Sequence, residues 1–169
     1  MENTGRDHGG NGFEAIKYVN DNMGAFDPYK ATSEEMNAAM EEIAQKAAEE
    51  YGSLKKKAKE EGDMKYFKVP CVNHPVFKGK DVNYDPREVF VSGLFKEKGI
   101  NNVFLEFYHS LVQGLFKAKV SKNVYCVNID AVIAVILLKI VWTDYNEGKM
   151  ADGDIESASF ATFLFGRMI

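Results

Sequence analysis

The chain has 169 residues, 46% of them hydrophobic and 27% charged, with a formal net charge of −4 at pH 7; that is enough apolar material for one buried core or two small ones. A net negative chain argues against general binding to nucleic acid or to a membrane surface, since both need a concentrated basic face. The local basic run Lys55-Lys56-Lys57 with Lys59 is flanked by Glu49, Glu50, Glu60 and Glu61 and reads as a solvated helix face.

The pattern in chain order is helical almost throughout and predicts an all-α fold. Gly9-Gly10 lead into a helix from about Asn11 to Met23 with Phe13, Ile16, Asn20 and Met23 on one side, ended by Gly24 to Pro28. Thr32-Ser33-Glu34-Glu35 is a capping box. It opens a long helix whose narrow apolar stripe is Met36, Met40, Ile43, Ala47, Tyr51, Leu54 and Ala58, with Gly52 as a point of possible interruption and Gly62-Asp63 as the stop. Residues 66 to 84 form an irregular loop carrying Pro70 and Pro75, and a loop of that length in a compact domain is usually functional. A helix follows it with Val89, Phe90, Gly93 and Leu94 inward and Gly99 as its stop. Asn101 to Lys119 is a helix apolar almost all round, with Phe104, Phe107, Tyr108 and Leu111 as core and His109 as a structural histidine. After Ser121-Lys122-Asn123 and Val124 to Val127 comes a buried helix, Ala131 to Trp142. It contains Lys139 and falls well short of the ~20 apolar residues of a membrane span. A last helix runs from about Asp154 to Arg167.

Cys71 and Cys126 are far apart and form no Cys-x-x-Cys pair, so neither a zinc site nor a disulfide framework is indicated, which fits a reducing cytoplasm. The N-terminus lacks the basic-then-apolar layout of a signal peptide. No Gly-x-x-x-x-Gly-Lys-Ser/Thr or strand-borne Gly-x-Gly-x-x-Gly occurs, and the three histidines do not have metal-ligand spacing.

The most informative stretch runs from His74 to Arg87. Asp85 is a natural N-cap, Pro86 a natural first helical residue, and Glu88 completes a capping box. Arg87 therefore stands in a first turn, where the unsatisfied N–H groups disfavour a cation. An anion is expected to offset that cost.

Asn83-Tyr84-Asp85-Pro86-Arg87, reached from His74, resembles the active-site loop of the citrate synthase family. Three further segments agree in the family's order: His8-Gly9-Gly10-Asn11, Val127-Asn128-Ile129-Asp130-Ala131 and Phe163-Leu164-Phe165-Gly166-Arg167. Together they span nearly the whole chain. The family has a helical large domain bearing the dimer interface and a smaller helical domain that closes over acyl-CoA. The resemblance assigns residues 1–10 to a hinge with the His-Gly-Gly entry, 11–153 to an acyl-CoA-binding small domain of orthogonally packed helices, and 154–169 to the start of a returning large-domain helix. Missing large-domain segments or a second polypeptide would supply the rest, the complete protein would be a homo-oligomer, and the last helix on its own would pack poorly.

The resemblance implies that acetyl-CoA and oxaloacetate are joined to citrate through citryl-CoA, with no permanently bound cofactor and CoA entering only as substrate. Asp130 would be the base that removes a methyl proton, His8 would donate to the thioester oxygen, and His74 to the keto oxygen of oxaloacetate. Arg87 and Arg167 would grip substrate carboxylates as planar forks. Val69, Pro70, Cys71, Val72 and Asn73 would lie along CoA. On local grounds alone Asp130 also reads as an N-cap and Arg167 as a dipole-favoured C-terminal cation. Three points depart from the family. Cys71 and Asn73 stand where glycines are usual, Gly79-Lys80-Asp81-Val82 looks inserted, and the run after Asp130 resembles the citryl-CoA lyase and ATP-citrate lyase branch. Synthesis, cleavage and a non-catalytic CoA-binding or scaffold role all remain open.

Overall fold

The computed structural model describes residues 10–23, 29, 33–62 and 69–168. They form six α-helices: α1 Gly10–Met23, α2 Ser33–Glu61, α3 Pro86–Glu97, α4 Val103–Lys117, α5 Ile129–Asn146 and α6 Asp152–Met168. The all-α expectation is met. The β pairing among the described residues consists of two isolated bridges, Val72 with Val127 antiparallel and Val82 with Val124 parallel. No described helix is long and apolar enough to cross a membrane.

The core is organised around α4. Phe104, Phe107, Tyr108 and Leu111 are fully buried there, against Ile16, Val19 and Met23 of α1, Met40, Ala44 and Ala48 of α2, and Val132, Val135 and Leu138 of α5. Small residues set how near the helices come. Gly114 lets α4 lie on α2, since a Cβ there would stand 3.3 Å from that of Ala48. Gly52, the expected interruption, sits inside an unbroken α2 because Val120 presses on the space its side chain would fill, 2.8 Å from an added Cβ. The stripe on α2 is as expected at Met36, Met40, Ala47 and Ala58, whereas Leu54 is exposed.

Three sequence readings need correction. The apolar residues expected inward on α3 face solvent: Val89 is 50% and Phe90 66% exposed, and Leu94 and Gly93 are exposed too. The reason is that Val, Phe and Leu fall all round this helix, so no single stripe specifies an inner face. Glu88 does not close a capping box with Asp85, because its carboxylate turns inward to His109 Nε2 and Ser92 Oγ. The cap of α5 is Asn128 rather than Asp130: its side chain accepts from the backbone N–H of Asp130 at 3.0 Å and of Ala131 at 3.3 Å. The last helix, expected to pack poorly, does so on one face only. Ile155, Ser159 and Phe163 are buried, while Phe160 and Phe165 are exposed.

Candidate functional site

The loop from Val69 to Asp85 is pinned to the segment before α5 at both of its ends. Around the Val72–Val127 bridge, the Asn73 N–H donates to Cys126 O at 2.8 Å and the Asn128 N–H to Cys71 O at 3.1 Å. Further on, Asn83 N–H donates to Val124 O at 3.0 Å, and the Asn83 side-chain amide donates to Lys80 O and Val124 O. Cys71 and Asn73 both adopt left-handed backbone, with φ of 59° and 69°. Non-glycine residues rarely accept this region, although Asn tolerates it. These two are the positions where the resembled family is usually glycine, so the conformation is glycine-like although the residues are not. Val69 and Cys71 are buried, and Pro70, Val72 and Asn73 are half-buried. The Cys71 thiol donates to Asn11 O at 3.3 Å, which seats the start of α1 against the same loop.

Asp85 is the hub. Its side chain is fully buried and caps α3 by accepting from the Arg87 N–H at 3.0 Å. The same carboxylate takes Arg87 Nε at 2.9 Å and Nη2 at 2.7 Å, and it accepts from the Ile129 N–H at the start of α5 at 3.2 Å. Burial pushes its pKa up, but the Arg87 side-chain and backbone hydrogen bonds outweigh that and hold it below the ordinary carboxylate value. The anion expected to offset Arg87's place at a helix N-terminus is therefore Asp85 itself, two residues away, and that argument requires no ligand. Arg87 remains half exposed and keeps Nη1 outside this fork.

Phe77 gathers the other groups. His74 stacks on its ring with centroids 4.7 Å apart, and the Arg87 guanidinium carbon lies 5.7 Å from that ring's centroid. The Val76 N–H donates to His74 Nδ1 at 3.2 Å, so Nε2 is the nitrogen left to face a ligand. Asp130 follows Ile129, the residue held on Asp85. Its charge, after the Asp85 hydrogen bond and charge, helps raise the Arg87 pKa. Burial foremost, then Asp130 and Glu14, pushes the Cys71 thiol well above its usual value. Burial likewise lifts Cys126 to about 11, so neither free thiol is a ready nucleophile.

The structure thus brings His74, Arg87, Asp130 and the 69–73 loop to one place, between the N-termini of α3 and α5 and beside the start of α1. His8 lies outside the described residues, as does the Arg167 side chain, whose backbone belongs to α6. Among the described residues, no group of three or more His, Cys, Asp and Glu side chains could hold a metal ion. In the sequence Asp85 reads only as a cap, and neither Phe77 nor the capping role of Asn128 stands out. An asparagine two residues ahead of Asp130 at the head of an apolar run was the available cap signal. No family model, curated protein or solved structure matches the chain.

Proposed function

We propose that this chain is the acyl-CoA-binding part of a cytoplasmic citrate synthase-type acyltransferase. The observation that carries this reading is the meeting of Arg87, at the N-terminus of α3, with His74 on the Phe77 ring and with the charge of Asp130 at the N-terminus of α5. The left-handed Cys71 and Asn73 support it, because the backbone there is of the kind glycine favours.

In this reading the Asp130 carboxylate removes a proton from the methyl group of acetyl-CoA, and His8 donates a hydrogen bond to the thioester oxygen as the enol forms. The enol carbon attacks the ketone carbon of oxaloacetate, and His74 supplies a proton to the oxygen that becomes the citryl hydroxyl. Water then cleaves the thioester of citryl-CoA, releasing citrate and CoA. Arg87, through Nη1, and Arg167 hold carboxylates. The same groups run backward cleave citryl-CoA into acetyl-CoA and oxaloacetate, the lyase alternative. A non-catalytic CoA-binding subunit is a second reading, favoured by one observation: two nitrogens of the Arg87 fork are already engaged by Asp85. Large-domain segments or a second polypeptide, in a homo-oligomer, complete the site.

Thiol release from acetyl-CoA and oxaloacetate, or cleavage of citryl-CoA, by the natural gene product tests the proposal; the 169-residue chain alone is expected to turn over little because a closed cleft needs both walls. Asp130→Asn should stop exchange of the acetyl methyl protons with solvent while acetyl-CoA still binds. His74→Ala should keep some exchange but block carbon–carbon bond formation, and Arg87→Lys should chiefly weaken citrate binding. Absence of both reactions in the natural gene product sinks the enzyme reading.

A further inference from the structure

The buried residue of α3 is a carboxylate, Glu88. Helices ordinarily dock through an apolar stripe, yet Val89, Phe90 and Leu94 of this helix face solvent, and Val91 and Phe95 are only partly buried. Beside the packing of Val91 and Phe95 on the core, α3 is fastened at two polar points one turn apart. Asp85 reaches the Ile129 N–H of α5 at 3.2 Å, and Glu88 Oε1 meets His109 Nε2 of α4 at 2.9 Å. Ser92 Oγ donates to the same Glu88 oxygen. A buried carboxylate that loses its partner charge is strongly disfavoured where it stands, so the second fastening depends on His109.

We propose that the Glu88–His109 pair is a positioning contact that holds α3, and with it Arg87, in place, and that its hold is strong only while His109 carries its proton. Its bearing on Arg87 rests on the carboxylate-binding role proposed above; the fastening of α3 does not.

The surroundings favour the proton. On its own helix His109 Nδ1 lies 4.0 Å from Glu106 Oε2. From α3 come Glu88 and, behind it, Asp85, whose charge acts on Glu88. A cavity of ≈ 520 Å³ borders both members of the pair and gives solvent a path to them. α2 contributes Glu41 to it, α4 Lys117, and the loops Tyr84 and Tyr125. Burial pulls the His109 pKa down, but the hydrogen bond and charge of Glu88, with Glu106, more than reverse this and leave it raised. For Glu88, burial raises the pKa, and the hydrogen bonds from His109 and Ser92 outweigh it and leave it lowered. A raised histidine contributes fully below its unfolded value, 6.5, and loses that contribution as pH rises through its folded pKa. A lowered glutamate contributes above its unfolded value, 4.5, and loses it as pH falls through its folded pKa. The fastening is strongest between those limits and weakens on the alkaline side.

The test is amide hydrogen exchange of residues 90–95, expressed as protection factors from about pH 5.5 to about pH 9, with the His109 imidazole followed by NMR in the same samples. Protection in α3 should fall by roughly tenfold, the scale of one charge-assisted hydrogen bond, at an imidazole midpoint above 6.5. In His109→Gln, which can still donate to Glu88 but cannot be charged, protection should be low and level at every pH. Citrate, used as the probe for Arg87, should lose affinity in parallel with α3 protection in the wild-type protein. Level protection through the imidazole titration, a step shared equally by α4 and α6, or a midpoint at or below 6.5 each overturns the proposal. A step confined to α3, with no citrate binding at any pH, supports the fastening and overturns the carboxylate role of Arg87.

Discussion

Replacing Asp85 by asparagine should be among the most damaging isosteric changes this chain can suffer. The substitution keeps shape and one acceptor oxygen, so the cap on the Arg87 N–H can survive, but it removes the charge and one of the two oxygens that take Arg87 Nε and Nη2. The new amide must present a donor either to the guanidinium or to the Ile129 N–H, whose bond to Oδ2 is the link from α3 to α5. Leaving that buried N–H unpaired costs about 1–2 kcal/mol. Losing the ion pair adds only about 0.5–1 kcal/mol, because Arg87 is half exposed and water screens it. The expected total is about 1.5–3 kcal/mol, read as a lower urea midpoint by circular dichroism at neutral pH. The pH dependence supplies a second check. The folded carboxyl titrates below its unfolded value, 3.8, so the unfolded chain binds more protons in that interval and stability rises with pH there. The contribution is present above the unfolded value and lost as pH falls through the folded one, so wild type and Asp85→Asn should converge in acid. Equal urea midpoints at neutral pH would refute the view of Asp85 as the hub.

Tyr108 is fully buried and its hydroxyl has no hydrogen-bond partner among the described residues, so Tyr108→Phe should raise stability by about 1 kcal/mol; a loss in the thermal midpoint would reveal a partner for that hydroxyl. Gly12 of α1 faces Ser159 of α6 so closely that an added Cβ would stand 2.3 Å from Ser159 Oγ but 3.7 Å from its Cβ. Gly12→Ala should therefore destabilise the wild-type chain. In a Ser159→Ala background it should be neutral or stabilising by up to about 1 kcal/mol, the helix-propensity gain over glycine. Additive effects in that double-mutant cycle would show that α1 and α6 do not meet there.

How much could be read beforehand depended on whether the deciding contact was local. Asp85 and Pro86 announced the start of α3, because capping is settled by groups two or three residues apart, and the helix begins at Pro86. Even the anion that Arg87 called for was local, since Asp85 lies two positions before it, although a ligand was expected in its place. The long stripe of α2 and the apolar α4 were legible for the same reason: helical periodicity follows from the backbone repeat alone. The inner face of α3 was not. Its apolar side chains point all ways, and Glu88 is drawn inward by His109, 21 positions along the chain. The cap of α5 was misplaced by two residues. Asn128 and Asp130 are both good caps, and the choice follows from the loop that bonds the Asn128 N–H to Cys71 O and the Ile129 N–H to Asp85. The sequence by itself determined which segments are helical and where α3 begins, because those interactions close within a turn. Only tertiary structure decided that His74 and Arg87 meet on Phe77 with the Asp130 charge near Arg87, because that meeting depends on the packing of loop against loop and of buried charge against its partner.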